Sequence, residues 1–67
     1  GAINQPKIQM SEKESSLVTH LTIFGPASVN EIARSLGISA GETSAHLMSL
    51  FLRGYVVEER GVWGVVQ

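Results

Sequence analysis

The chain has no cysteine and no aspartate, and only 16% of its 67 residues are charged. Without cysteine there is no disulfide framework and no thiolate-ligated zinc site. No apolar run approaches the roughly 20 residues that span a bilayer. The first ten residues lack the apolar core of a signal peptide. Charge of either sign is scarce: five Lys and Arg against six Glu leave a net charge of −1. A strongly basic nucleic-acid binder is therefore not what the composition describes, and any such contact has to come from local placement of charge. The hydrophobic fraction of 43% is that of a globular chain and argues against disorder. At this length the chain is one domain, and folding buries only about 60% of the unfolded surface. The lack of cysteine agrees with a cytoplasmic setting.

A first residue Gly1 in place of Met reads as an excised fragment, its opening residues native or tag-derived. Residues 1–10 include Asn4, Gln5, Pro6, Lys7 and Gln9 without apolar periodicity, and read as a linker or arm. Ile3, Ile8 and Met10 have side chains able to pack on the domain, which is expected over residues 11–67.

Three Ser-x-x-Glu steps punctuate the domain: Ser11/Glu14, Ser28/Glu31 and Ser39/Glu42. In a capping box the Ser hydroxyl accepts the backbone N–H three residues on, and the Glu carboxylate accepts the Ser N–H in return. Each step precedes apolar residues at helical spacing, so three helix starts are predicted. The first helix is expected over Glu12–Phe24, with Leu17, Val18, Leu21 and Phe24 on its core stripe and Gly25-Pro26 as its stop. The second runs Val29–Leu36 on Val29, Ile32, Ala33 and Leu36, and ends at Gly37. The third runs Ala40–Arg53, with Thr43, Leu47 and Leu50 inward and Gly54 closing it. The period then changes to two. Tyr55–Glu59 and Val62–Val66 read as strands joined by a tight Arg60-Gly61 turn, and Ala27-Ser28 adds a short strand beside them.

A helix, a short strand, two helices across a three-residue turn and a β-hairpin resemble the winged helix-turn-helix, an α+β, mainly α, architecture. The residues that carry the resemblance are Gly25-Pro26, Ile32-Ala33-x-x-Leu36-Gly37-Ile38-Ser39 and Leu47-x-x-Leu50-x-x-x-Gly54-Tyr55-Val56. Within that superfamily Leu47, Leu50, Leu52, Gly54, Tyr55, Gly61 and Trp63 are similar to the C-terminal winged helix of the DNA-processing protein DprA, also called Smf. The resemblance implies an auxiliary DNA-binding module of a larger bacterial protein active in natural transformation, whose main DNA-binding domain lies elsewhere. Trp63 and the Gly54 step also look similar to the Z-DNA-binding winged helices. The sequence departs from that pattern at Ser44, where those domains have Asn, at Met48, where they have Tyr, and at Gly61-Val62, where they have Pro-Pro.

In this architecture the third helix enters the major groove. With Thr43, Leu47 and Leu50 inward, its outward face holds Ala40, Gly41, Ser44, Ala45 and Met48. None of these is the Arg, Lys, Asn or Gln that reads guanine or adenine with two hydrogen bonds. Sequence-specific transcriptional regulation is therefore the poorer alternative, and weak, backbone-directed DNA binding is the leading expectation. Ser28, Asn30 and Ser39 stand at helix N-termini, where free N–H groups suit phosphate. Plain capping is part of the role of both serines, and Glu31 and Glu42 at the same ends repel phosphate. Arg60 at the hairpin tip is the cation best placed for a backbone or minor-groove contact; beside Glu58 and Glu59 it also reads as a solvated turn residue. The candidate nucleic-acid-binding set is thus Ser28, Asn30, Ser39, Ala40, Ser44, Ala45, Met48 and Arg60.

Trp63 and Tyr55 suit packing of the hairpin on the helices better than stacking on bases. Met48, Phe51 and Leu52 cannot all be inward, so a protein contact or self-association through helix three is the alternative from a different class. His20 and His46 lie on different helices with no Cys or Asp to complete a metal set. No Ser, His or Glu spacing and no Gly-rich phosphate loop suggests catalysis. No cofactor, metal, membrane or small-molecule partner is expected.

Overall fold

The computed structural model describes residues 10–66, in the order α1 (Glu12–Phe24), β1 (Ala27–Ser28), α2 (Val29–Leu36), α3 (Ala40–Leu52), β2 (Val56–Glu59) and β3 (Val62–Val65). Three helices and a three-stranded antiparallel sheet of order β1-β3-β2 form a winged helix. Residues 1–9, on which the linker reading and the packing of Ile3 and Ile8 rest, lie outside the described residues. Met10 does pack against the core.

Local chemistry sets the helix starts. Ser11 and Ser28 form complete capping boxes, the Ser N–H donating to Glu14 at 3.1 Å and to Glu31 at 3.0 Å. The third box is only half made. The Ser39 hydroxyl accepts the Glu42 N–H at 3.0 Å, but the Glu42 carboxylate turns away. It lies 3.6 Å from His46 Nε2 and 4.0 Å from Lys13 Nζ, so opposite charge on α1 competes with the cap for it.

α3 stops one residue earlier than the periodicity predicts. Arg53 is its C-cap, and the N–H groups of Gly54 and Tyr55 donate to Phe51 and Leu50 carbonyls at 3.0 and 2.9 Å. This closing motif draws Tyr55 into the helix end. β2 therefore begins at Val56 rather than Tyr55, and β3 ends at Val65 rather than Val66. The Val66 N–H still donates to the Tyr55 carbonyl at 3.0 Å.

The hairpin turn is the two-residue Arg60-Gly61, with φ of 55° and 82°. Positive φ at both positions is what a twisted hairpin with a two-residue loop demands. The Glu58 carboxylate steadies the turn by accepting the Gly61 N–H at 2.6 Å. β1 pairs Ala27 with Trp63 and Ser28 with Val62, which ties the start of α2 to the base of the wing. Gly64 allows β3 to lie close to Pro26: a Cβ there would stand 3.3 Å from Pro26 Cγ.

The core is Leu17, Leu21, Ala27, Ile32, Leu47, Leu50 and Val56, with Thr43 buried beside it. Thr43 donates its hydroxyl to the Ser39 carbonyl at 2.8 Å, so its polar atom is satisfied inside α3. Val18, Val29, Leu36, Tyr55, Trp63 and Val65 pack around this cluster. Phe24 does not join it. The residue is 74% exposed, because the last turn of α1 overhangs the core and is followed by the Gly25-Pro26 exit rather than by a covering element.

An ion pair and a row of polar side chains fasten α1 to α3. Arg53 Nη2 donates to Glu14 Oε1 at 2.7 Å and to Ser49 Oγ at 3.2 Å. Glu14 Oε2 lies 3.9 Å from His46 Nδ1, and beyond His46 come Glu42 and Lys13. His46 Nε2 is buried without a hydrogen-bond partner. Burial pushes the Glu14 carboxyl up. The Arg53 hydrogen bond, the Ser11 N–H, the Arg53 charge and Ser49 outweigh it and hold the group below the ordinary carboxyl value.

This packing makes two predictions. Leu47→Ala should destabilise the domain by about 2–5 kcal/mol, whereas Leu52→Ala on the surface should stay within about 0.5 kcal/mol; urea titrations followed by circular dichroism compare them. The lowered Glu14 value means that its stabilisation is complete above the ordinary carboxyl range and is lost as pH falls through the folded-state value. In Glu14→Gln the acid limb of a stability-versus-pH curve should be flatter than in the parent, and an unchanged limb would refute the coupling.

Candidate nucleic-acid interface

α3 presents the expected row to solvent. Ala40, Gly41, Ser44, Ala45 and Met48 are all exposed, while Thr43, Leu47 and Leu50 on the opposite side are fully buried. Ala40, Ser44 and Met48 repeat every four residues and stand one above the other on the helix, with Gly41 and Ala45 beside them. No side chain in this row makes a hydrogen bond or ion pair among the described residues. The surface is uncharged and close to the helix backbone, and Met48 is its one large side chain, half exposed.

The remaining candidates fall into two groups. The sheet sets Ser28 and Arg60 at the same end of the wing, since Ser28 pairs with Val62, two residues beyond Arg60. Asn30 follows Ser28 in the exposed first turn of α2. The Ser28 hydroxyl is already an acceptor in its cap, at 3.3 Å from the Glu31 N–H. Ser39 is exposed at the start of α3 and caps it in the same way, but its negative neighbour Glu42 leans toward His46 and Lys13. The predicted repulsion from Glu42 is thus partly offset by Lys13, a partner that the sequence did not reveal.

Among the described cations Lys13 and Arg53 are in ion pairs with Glu42 and Glu14, and Arg34 and Arg60 are in none. Arg60 occupies the left-handed backbone region at the wing tip, and it is exposed. Beside the interface, Phe51 packs edge-to-face on Trp63, ring centres 6.2 Å apart at 86°. Arg53 lies over the Tyr55 ring at 5.9 Å. Both hairpin aromatics are therefore engaged in packing, although Trp63 keeps some exposure.

Sequence reasoning did not find the Glu14–Arg53 pair or the position of His46. A signal was present: Glu14 precedes Leu17 by three residues and Leu21 by seven, so a carboxylate occupies the core-facing stripe of α1. A charge there calls for a partner across the interface. No group of three His, Cys, Asp or Glu among the described residues is placed to hold a metal. No helix among them is long and apolar enough to cross a membrane.

The fold has close counterparts among solved structures. The Zbeta domain of human DAI, studied for its binding to B- and Z-DNA, superposes with a TM-score of 0.82 at 18% identity and full coverage of both chains. The Zalpha domain of Carassius auratus PKZ, solved in complex with Z-DNA, gives 0.76 at 22% identity, covering 82% of this chain and 94% of the other. The Zalpha domain of Cyprinid Herpesvirus3, solved for its binding mode to Z-DNA, gives 0.75 at 26% identity, covering 87% of this chain and 100% of the other. Comparison with curated proteins gives no match. At the level of sequence, the profile of the DprA winged helix domain matches residues 4–61, most of the chain, and the chain belongs to that family.

Proposed function

We propose that this domain is an auxiliary DNA-binding module of a larger bacterial DNA-processing protein, binding weakly and mainly through the DNA backbone in the cytoplasm. The observation that carries the reading is the bare row on α3. Five exposed positions without a charged or amide side chain let the helix approach a duplex closely, yet give it almost no means to read bases. Family membership and a fold shared with domains solved on Z-DNA support DNA as the ligand. Arg60 at the wing tip and the starts of α2 and α3 are the proposed phosphate contacts. Arg34 is a flanking cation.

A second reading has its own observation. Met48, Phe51 and Leu52 are 50%, 45% and 78% exposed along one stretch of α3, a surface suited to a protein partner. The two readings separate by substitution: Arg60→Ala weakens the first activity, and Met48→Glu harms the second more.

The test is an amide NMR titration of the chain at low salt with a short B-form duplex, a single strand and an alternating CG duplex. Shifts confined to the start of α2, to α3 and to Arg60-Gly61 are expected. The log–log salt slope should be about 2 or less, at ~0.9 per phosphate, because only two described cations are outside ion pairs. Arg60→Ala should lower that slope by about 1. Absence of shifts at millimolar DNA would remove nucleic acid as a direct ligand and leave the protein-partner reading.

A further inference from the structure

The outer face of α1, remote in sequence from the α3 row, carries a second feature. Ile23 and Phe24, neighbours in the last turn, are 67% and 74% exposed. The His20 ring lies 4.9 Å from the Phe24 ring and props it at a 40° tilt. Toward the helix start the same face is low, made of Ser15, Ser16 and Thr19. These small side chains leave an open, shallow strip between Glu12 at one end and Ile23-Phe24 at the other. Beyond Phe24 a wider groove of about 720 Å³ continues past Pro26 to Arg34 on α2. The face thus runs from a carboxylate, along a strip of small side chains, to an apolar bulge and a guanidinium.

We propose that this face is a self-association surface on which a second copy of the chain docks with its α1 antiparallel, about a twofold axis near Thr19. A twofold contact must be self-complementary, residue i meeting j as j meets i. Glu12 and Phe24 are about 18 Å apart along the helix, at 1.5 Å per residue. Inversion therefore brings the Ile23-Phe24 bulge of each copy over the small-residue strip of the other, and each Glu12 toward the opposite Arg34. Neither Glu12 nor Arg34 is in an ion pair among the described residues. Their neighbours of opposite sign are engaged: Lys13 faces Glu42 at 4.0 Å, and the Glu31 carboxylate caps α2 at 3.0 Å. A parallel arrangement would set Glu12 against Glu12 and align the helix dipoles unfavourably.

The area sets the strength. Two large exposed side chains and a strip of small ones per copy bury roughly 600–900 Å² in total, short of the about 1,200 Å² of a stable interface. The dimer is accordingly weak, with a dissociation constant of order hundreds of micromolar. It uses neither the α3 row nor Arg60, so it stands or falls apart from the DNA reading.

Sedimentation velocity and amide shifts of the 67-residue chain between about 20 μM and 2 mM test it, a range that brackets the expected constant. A concentration-dependent dimer with shifts at His20, Ile23 and Phe24 is expected. Phe24→Ser should abolish it. Glu12→Arg should weaken it about tenfold or more, and Glu12→Arg with Arg34→Glu should restore it. These side chains are exposed, and the dispersion of the amide spectrum verifies that each variant is folded. A monomer at all concentrations overturns the proposal. So does dimerisation that maps to Met48 and Phe51, or that ignores Phe24→Ser. Failure of the double variant to restore association overturns the antiparallel arrangement.

Discussion

A mostly buried carboxylate on α1, Glu14, determines how the third helix sits. Leu47 and Leu50 supply the apolar attraction between α3 and the rest of the core, but apolar contact alone leaves a helix free to slide and rotate. Arg53 at the C-cap meets Glu14 with a short, charge-assisted bond, and His46 meets the other carboxylate oxygen about two turns earlier. The Arg53–Glu14 bond and the buried Leu47 and Leu50 together hold α3 in one orientation against α1. The orientation of the exposed row depends on them, since Ala40, Ser44 and Met48 face outward only while Thr43, Leu47 and Leu50 face in. The attachment takes up a cation and a carboxylate in a domain that has few of either, which is one reason why so little charge is left on the α3 surface.

Much of this was legible in the amino-acid sequence, because it is written in local chemistry. Ser-x-x-Glu steps marked all three helix starts, and the apolar spacing of α2 and α3 identified Ile32, Ala33, Thr43, Leu47 and Leu50 as inward. The change of period after Gly54 located the wing, and Arg60-Gly61 its turn. What the sequence did not disclose depends on distant partners. Glu42 matches a capping box, yet its carboxylate is drawn to Lys13 and His46, and no local rule contains those distances. Phe24 keeps the core spacing of Leu17 and Leu21, but periodicity cannot tell where the covering layer ends. Arg53 and Tyr55 miss the predicted element bounds by one residue because the helix end captured both. The candidate interface was legible on α3, where side-chain direction is dictated by helix geometry. It was less so at Ser28 and Arg60, whose placement at one end of the wing requires the β1–β3 pairing.

Membership of the DprA winged-helix family fits this distribution of features. In the auxiliary role proposed above, a third helix poor in hydrogen-bonding groups is sufficient, since sequence choice is not asked of it. The Arg53–Glu14 bond holds α3 on α1 without adding charge to the exposed row. The rigid part of the molecule and the part open to a ligand are opposite sides of the same helix.

The close contact between Pro26 and Gly64 gives the wing a mechanical character. A hairpin joined to the body only through its own ends would swing as a hinged flap. Here β3 is gripped at mid-length, with β1 alongside it and the pyrrolidine ring pressed against the one position that has no side chain to resist it. The inclination of the wing is therefore tied to the path of the chain between α1 and α2, through the β1–β3 pairing and the close approach of Pro26 to Gly64.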